Sequence, residues 1–221
     1  MKRVIVSILI LTFTIFPPRT LLADLAETEY SIFDDKTLIL GYTEKYAEKS
    51  KDVLLAMIKD EELTSYMCAA AIRAFREKYS SEIFGAEKKA VEKILLRRLA
   101  RADSSFIELE IMQTLCLMDR YKYFESMVPG LIQLLDHYNE TVSEWAFEGI
   151  NEIIKGQKRA REARIVFNTL RKKLFLSRKK YENIKEPGPK LKQKLSLLRW
   201  AIKILGTQEL QRLPSEIIDF L

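Results

Sequence analysis

The 221-residue sequence contains little glycine, proline, cysteine or histidine, and each shortage excludes a class of structure or site. Seven glycines and six prolines are too few for many turn-linked strands, and long stretches contain neither residue, which favours helices. Two cysteines cannot form a disulfide framework, and with a single histidine they leave little material for a metal site. We therefore expect no metal ion and no other cofactor.

Motifs of the common catalytic classes are also missing. The sequence has no glycine-rich phosphate loop, no nucleophile elbow and no HExxH motif. Glu108, Glu110, Glu144 and Glu148 could in principle supply the acid pair of a glycoside hydrolase. These acids are already accounted for as helix starts and solvated helix faces, so the sequence predicts a protein that is not an enzyme.

The N-terminus has the three parts of a secretory signal peptide. Met1, Lys2 and Arg3 form a basic head, residues 4–16 are mostly apolar, and residues 21–23 offer a small-residue exit. A retained membrane anchor and a buried helix are the competing interpretations, but a bilayer core needs about twenty apolar residues. We predict that residues 1–23 are removed and that the soluble mature protein is exported, either periplasmic or secreted.

Residues 24–44 form an acidic N-terminal arm or cap. The stretch 24–35 contains five acids and no base, which is compatible with a loose arm or with a first capping helix. The run TLILGY at 37–42 is ambiguous between a strand and a packing segment.

Residues 45–156 carry a recurring helical pattern, clearest at 126–156. There, Val142, Trp145, Ala146, Gly149, Ile150, Ile153 and Ile154 follow the spacing of one buried helix face. A shift of 35 residues places the face that begins at Ile107 on the face that begins at Val142. Capping boxes are predicted at Ser105–Glu108 and Thr141–Glu144. The repeats are unequal in length, and each needs neighbours to bury its apolar face.

In residues 45–156 the chain resembles the HEAT and armadillo-like α-solenoids. The resemblance rests on paired helices, on their spacing, and on the segment VPGLIQLLDH followed by VSEWAFEGINEII. Pro129 stands near a predicted helix start, where a missing amide hydrogen does no harm, and Asp136 ends that helix. The chain departs from the HEAT pattern at Ser143 and Glu144, where such units commonly carry an arginine, so a ladder of stacked polar contacts is not implied.

The resemblance implies an all-α fold: a right-handed α-solenoid of irregular HEAT/armadillo-like helical hairpins, with residues 157–221 as a basic C-terminal helical cap. It also implies a groove, lined by the second helix of each hairpin, that binds proteins or nucleic acids. The exposed positions expected along that groove are Arg73, Arg76, Glu110, Gln113, Glu144 and Glu148.

Charge is distributed unevenly. Residues 24–154 carry 16 bases and 25 acids, whereas residues 155–194 carry 15 bases and three acids. A solvated outer face, an acidic protein partner, an anionic membrane surface and nucleic acid all remain open as interpretations of the basic segment. The secretion signal and the scarcity of aromatic residues disfavour nucleic acid. Candidate binding residues here are Arg164, Arg171, Lys172, Lys173, Arg178, Lys179 and Lys180.

The sequence thus predicts an exported scaffold or adaptor that binds another protein without chemistry. The alternative is a peripheral protein that binds an anionic membrane surface, or another polyanion, through residues 155–194. His137 is expected to have a surface or capping role, and Cys68 and Cys116 are interpreted as buried free thiols rather than as a disulfide.

Overall fold

The computed structural model describes residues 34–221, and within that range every regular element is a helix. The prediction of an all-α fold is confirmed. The α-helices are α1 (Asp35–Tyr46), α2 (Lys51–Lys59), α3 (Ser65–Tyr79), α4 (Gly85–Leu99), α5 (Ser105–Met118), α6 (Arg120–Leu134), α7 (Glu140–Ile154), α8 (Ala160–Ser177), α9 (Pro189–Leu205) and α10 (Ser215–Ile218). Two 3₁₀-helices span Arg178–Lys180 and Thr207–Arg212. The predicted signal peptide lies outside the described residues.

The odd-numbered helices α3, α5, α7 and α9 pack on one another in order, and the even-numbered helices α2, α4, α6 and α8 pack beside them. Helix α3 contacts α2 and α5, α5 contacts α7, and α7 contacts α9. The alternate helices also meet, α2 with α4 and α6 with α8, while α5 packs closely on α6 and α8 on α9. A helix with an apolar stripe is stabilised by such neighbours, since each contact removes apolar area from water.

Helix α5 lies at the centre of the described fold. Residues 106–116 are all buried except Glu108, which is half-buried. Helices α3, α4, α6 and α7 surround it. Its sequence, SFIELEIMQTLCLM, is apolar on almost every side, as expected for a helix enclosed by neighbours.

The helix starts differ from the predicted capping boxes, which are wrong. Helix α5 is capped by Ser104, whose side chain accepts a hydrogen bond from the amide of Phe106. Helix α7 is capped by Asn139, which accepts from the amides of Thr141 and Val142. Asparagine and serine are both strong N-caps, so a residue one or two positions before each predicted box takes the capping role.

The position of Pro129 corrects a second expectation. Helix α6 begins at Arg120 with Asp119 as its cap, so Pro129 lies inside the helix and not near its start. Asp119 also ends α5, and a single residue therefore joins these two helices. The sequence pattern missed this early start because residues 120–126 are mostly polar or aromatic.

Helix α1 contains the ambiguous TLILGY run and crosses the predicted boundary at residue 44. Lys36 near its start forms an ion pair with Glu144 in α7, with an Nζ–Oε2 distance of 2.9 Å. Beyond its end, the backbone oxygens of Ala47 and Lys49 accept hydrogen bonds from Lys78 and Tyr79 of α3. A 12-residue helix is about 18 Å long, roughly two helix spacings. Helix α1 therefore runs from α7 towards the end of α3.

Polar contacts recur between helices about one repeat apart. Lys88 pairs with Asp119 over 31 residues, Arg73 with Glu110 over 37, and Arg161 with Glu125 over 36. The amide of Gln113 donates to the backbone oxygen of Trp145 over 32 residues. Polar contacts thus link helices that are separated by one other helix along the chain.

Candidate binding surfaces

Four of the six predicted groove residues are buried. Arg73, Arg76 and Gln113 are less than a tenth exposed, and Glu110 has no exposed surface at all. The prediction that these four residues are exposed is wrong. Glu144 and Glu148 are exposed, as predicted. No binding role for any of the six follows from their positions alone.

Three of the buried residues, Arg73, Arg76 and Glu110, form a charged network between α3 and α5 that also contacts α7. Glu110 accepts from Nε of Arg73 at 2.9 Å and from Nη1 of Arg76. The guanidinium of Arg73 also lies over the ring of Trp145, with its Cζ 3.7 Å from the ring centroid. Compensating charges and a cation–π contact make the burial of these groups tolerable. Their side chains therefore hold three helices together, and sequence periodicity alone could not distinguish that role from groove exposure.

Gly149 provides the space for the Gln113 side chain. The amide of Gln113 reaches the backbone oxygen of Trp145 at 2.8 Å. A Cβ built on Gly149 would overlap the end of that side chain and lie 2.7 Å from its Cγ. The glycine thus permits close packing of α5 on α7, a role that the sequence analysis did not assign to it.

The predicted basic residues divide into paired and unpaired groups. Arg164 pairs with Glu209, and Lys173 pairs with Asp136. Among the described residues, Arg171, Lys172, Lys179 and Lys180 form no ion pair, and Arg178 donates to the backbone oxygen of Phe175. Lys172, Arg178, Lys179 and Lys180 are exposed. The end of α8 and the 3₁₀-helix that follows it therefore hold the five of these seven basic residues that form no ion pair within residues 34–221.

A cleft of about 600 Å³ opens beside this cluster, between the end of α8 and the start of α9. Tyr181, Ile184 and Leu191 supply apolar lining. The charged groups lining it are Asp136, Glu140, Lys173, Lys180, Glu186, Lys190 and Lys194. Two of the predicted binding residues, Lys173 and Lys180, thus line one concave site.

Asp136 fixes one wall of this cleft. Its carboxylate accepts from Lys173 at 2.8 Å and from the buried Lys194. Burial opposes ionisation, but the hydrogen bonds from the two lysines outweigh it and lower the pKa of Asp136 below the ordinary value of 3.8. Lys190 donates to the backbone oxygen of His137, which ties the start of α9 to the same loop.

We expect Asp136→Asn to lower the free energy of unfolding by about 1 kcal/mol at neutral pH, since the carboxylate is 40% exposed and solvent screens the pairs. The folded pKa lies below the unfolded one, so this stabilisation is present above about pH 4 and is lost as pH falls through the folded pKa. Urea unfolding at neutral pH and at about pH 3 measures it. The difference in free energy of unfolding between wild type and Asp136→Asn should be smaller at about pH 3 than at neutral pH.

Glu125→Gln is the control for this experiment. Glu125 pairs with Arg161, but both side chains are exposed, so its replacement should change stability little at either pH. An equal pH dependence in wild type and Asp136→Asn would contradict the assigned role of Asp136.

His137 is hydrogen-bonded within the fold, and the two cysteines are buried. The Nδ1 atom of His137 accepts the amide hydrogen of Asn139 at 3.1 Å, so its Nε2 atom is placed to donate to Oγ of Ser105 at 3.0 Å. Cys68 and Cys116 are buried and not bonded to each other. Burial raises the pKa of the Cys116 thiol to about 12, which keeps it protonated at neutral pH.

Neither a metal-ligand cluster nor a membrane-spanning helix is found within residues 34–221. No group of three or more His, Cys, Asp or Glu side chains in that range could hold a metal ion. None of the helices in the same range has the length and apolar character needed to cross a membrane.

Comparison with known proteins found no match to this chain among family models, curated proteins or solved structures.

Proposed function

We propose that the chain is an exported, non-enzymatic scaffold that binds another protein and is built as a right-handed α-solenoid of irregular HEAT-like hairpins. The pairing of α2 with α3, α4 with α5, α6 with α7 and α8 with α9 supports this arrangement, as do the contacts between alternate helices. So do the polar contacts that join units 30 to 40 residues apart. Proteins with such repeats present extended surfaces to their partners.

The cleft between α8 and α9 is the observation that carries the binding proposal. Its volume of about 600 Å³ falls in the range of clefts that enclose a bound ligand, about 300–1,000 Å³. Four lysines and three acids surround an apolar lining. The site therefore suits a protein segment that combines an apolar side chain with a carboxylate placed against the lysines. Lys173 and Lys194 are engaged by Asp136, whereas Lys180 forms no ion pair among the described residues and is available to a partner.

Replacing Lys180 with glutamate tests this proposal. The immobilised full chain and its variant are incubated with envelope extract, and the captured proteins are identified by cross-linking and mass spectrometry. A lost charge-assisted hydrogen bond costs about 1.5–3 kcal/mol, so capture of the specific partner should fall at least about tenfold.

Lys158→Glu is the matched control, because Lys158 is exposed, lies in the loop before α8 and does not line the cleft. It changes net charge by the same amount and should retain the partner. Equal capture by wild type, Lys180→Glu and Lys158→Glu would refute the cleft as the binding site.

A second candidate function is peripheral binding to an anionic membrane surface, or to another polyanion, through residues 155–194. The observation that favours it is the exposed charge at Lys172, Arg178, Lys179 and Lys180, none of which forms an ion pair within the part of the chain that the structure describes. Such a cluster attracts anionic surfaces through a field that salt screens.

A further inference from the structure

The end of α8 exposes two consecutive large apolar side chains. Leu176 is 81% exposed and Phe175 is 49% exposed. The core-facing residues of the same helix, such as Leu170 and Leu174, are fully buried. Phe175 and Leu176 therefore project away from the core, and the fold leaves Leu176 largely exposed and Phe175 half exposed.

Cations surround this apolar pair. Lys172 lies three and four residues before Phe175 and Leu176, which places it on the same side of the helix as both. Arg178 has its Cζ 5.0 Å from the centroid of the Phe175 ring. Lys179 and Lys180 follow in the 3₁₀-helix and are exposed. Residues 171–185 contain seven bases and one acid, Glu182.

The arrangement fits a lipid surface better than a protein groove. A protruding apolar tip with flanking cations can bury its apolar groups at the headgroup boundary while the cations remain at the charged interface. Each lysine or arginine near anionic lipid adds to the attraction, and the neighbouring apolar groups add a contribution that salt does not screen. The cleft described above is concave and shares Lys173, Ser177 and Lys180 with the end of α8 and the 3₁₀-helix that follows it, whereas Phe175 and Leu176 do not line it.

We propose that Phe175 and Leu176 insert into the interface of an anionic lipid bilayer, with Lys172, Arg178, Lys179 and Lys180 held at the headgroups. The tip, defined here as residues 172–180, thereby attaches the protein to a membrane surface. The inference deepens the second candidate function and does not depend on protein binding in the cleft.

Vesicle flotation of the full chain tests the proposal. Vesicles of phosphatidylcholine alone are compared with vesicles that contain phosphatidylglycerol, at about 0.1 M and about 1 M salt, where the screening length falls from about 10 Å to about 3 Å. Binding should require the anionic lipid and weaken strongly at high salt. Lys172→Glu combined with Lys179→Glu should reduce the affinity at low salt at least about tenfold.

The apolar part of the proposal has its own variants. Phe175→Ser combined with Leu176→Ser should also weaken binding at least about tenfold while the salt dependence persists, because the charges are unchanged. Leu176→Trp should show a blue shift of tryptophan emission on adding anionic vesicles, and brominated lipid should quench it. Both side chains are exposed, so circular dichroism should show an unchanged helical fold.

Lys155→Glu combined with Lys158→Glu is the charge-matched control, since both lysines are exposed and lie outside the tip. It should bind more tightly than the Lys172/Lys179 variant. Every variant keeps the same N-terminus, so any contribution from residues 1–33 is common to all.

Flotation of the double serine variant at wild-type affinity would overturn the proposal, as would equal binding to uncharged vesicles or no binding at low salt. Binding to polyglutamate that equals binding to vesicles, unaffected by the serine changes, would show polyanion binding without insertion and would also overturn it. Phe175→Ser combined with Leu176→Ser separates the two functions, because neither side chain lines the cleft: flotation should fall while protein capture is retained.

Discussion

Glu110→Ala should lower the free energy of unfolding by about 3–5 kcal/mol. Glu110 is completely buried and is the shared carboxylate partner of Arg73 and Arg76. Its removal leaves two guanidinium groups in a region from which water is largely excluded, and neither arginine has another acid within ion-pair distance among the described residues. Chemical denaturation followed by circular dichroism measures the loss.

Glu108→Ala provides the matched control in the same helix. Glu108 is half-buried and makes no ion pair within the described residues, so its replacement should cost less than about 1 kcal/mol. Glu110→Gln should lie between the two, because the amide keeps one acceptor but loses the charge. Similar stabilities for the alanine variants at 108 and 110 would show that the buried network does not stabilise the fold.

Gly149→Ala should destabilise the protein by about 1–2 kcal/mol, even though alanine is the better helix former. The added methyl group would overlap the Gln113 side chain and displace its hydrogen bond to the backbone of Trp145. Overpacking typically costs about 1–3 kcal/mol, and the gain in helix propensity offsets up to about 1 kcal/mol of it. Thermal and urea unfolding of the variant give the net effect.

Gly41→Ala measures the gain in helix propensity from glycine to alanine without any overpacking. Gly41 is exposed within α1, and a Cβ built there meets nothing within 4 Å. This change should stabilise the protein by about 0.5–1 kcal/mol. If Gly149→Ala were also stabilising, the Gln113 side chain would not need the space that Gly149 leaves beside α7.

Periodicity in the sequence was sufficient to predict the helical class and the core. Val142, Trp145 and Ile150 are buried as their spacing indicates. The sequence signals for helix starts were less reliable than periodicity. The start of α6 was missed because Asp119 caps a helix whose first turns lack an apolar stripe. Capping boxes failed for a related reason, since Ser104 and Asn139, one or two residues earlier, offer equally good caps.

Burial of charged residues was the main information that periodicity could not provide. Arg73, Arg76 and Glu110 have the polarity of an exposed face, and only the pairing between α3 and α5 makes their burial favourable. That pairing joins residues more than 30 positions apart. Phe175 and Leu176 are the reverse case, apolar residues that are exposed. They follow the buried Leu174 directly in the sequence, and their apolar character alone does not indicate that they point outward.

The ion pair between Lys36 and Glu144 places a limit on the order of assembly. The two residues are separated by 108 positions, whereas most other polar contacts span one repeat. At about 5–20 residues per second, a ribosome needs roughly 5–20 s to add the intervening chain. Throughout that interval α1 lacks its contact on α7.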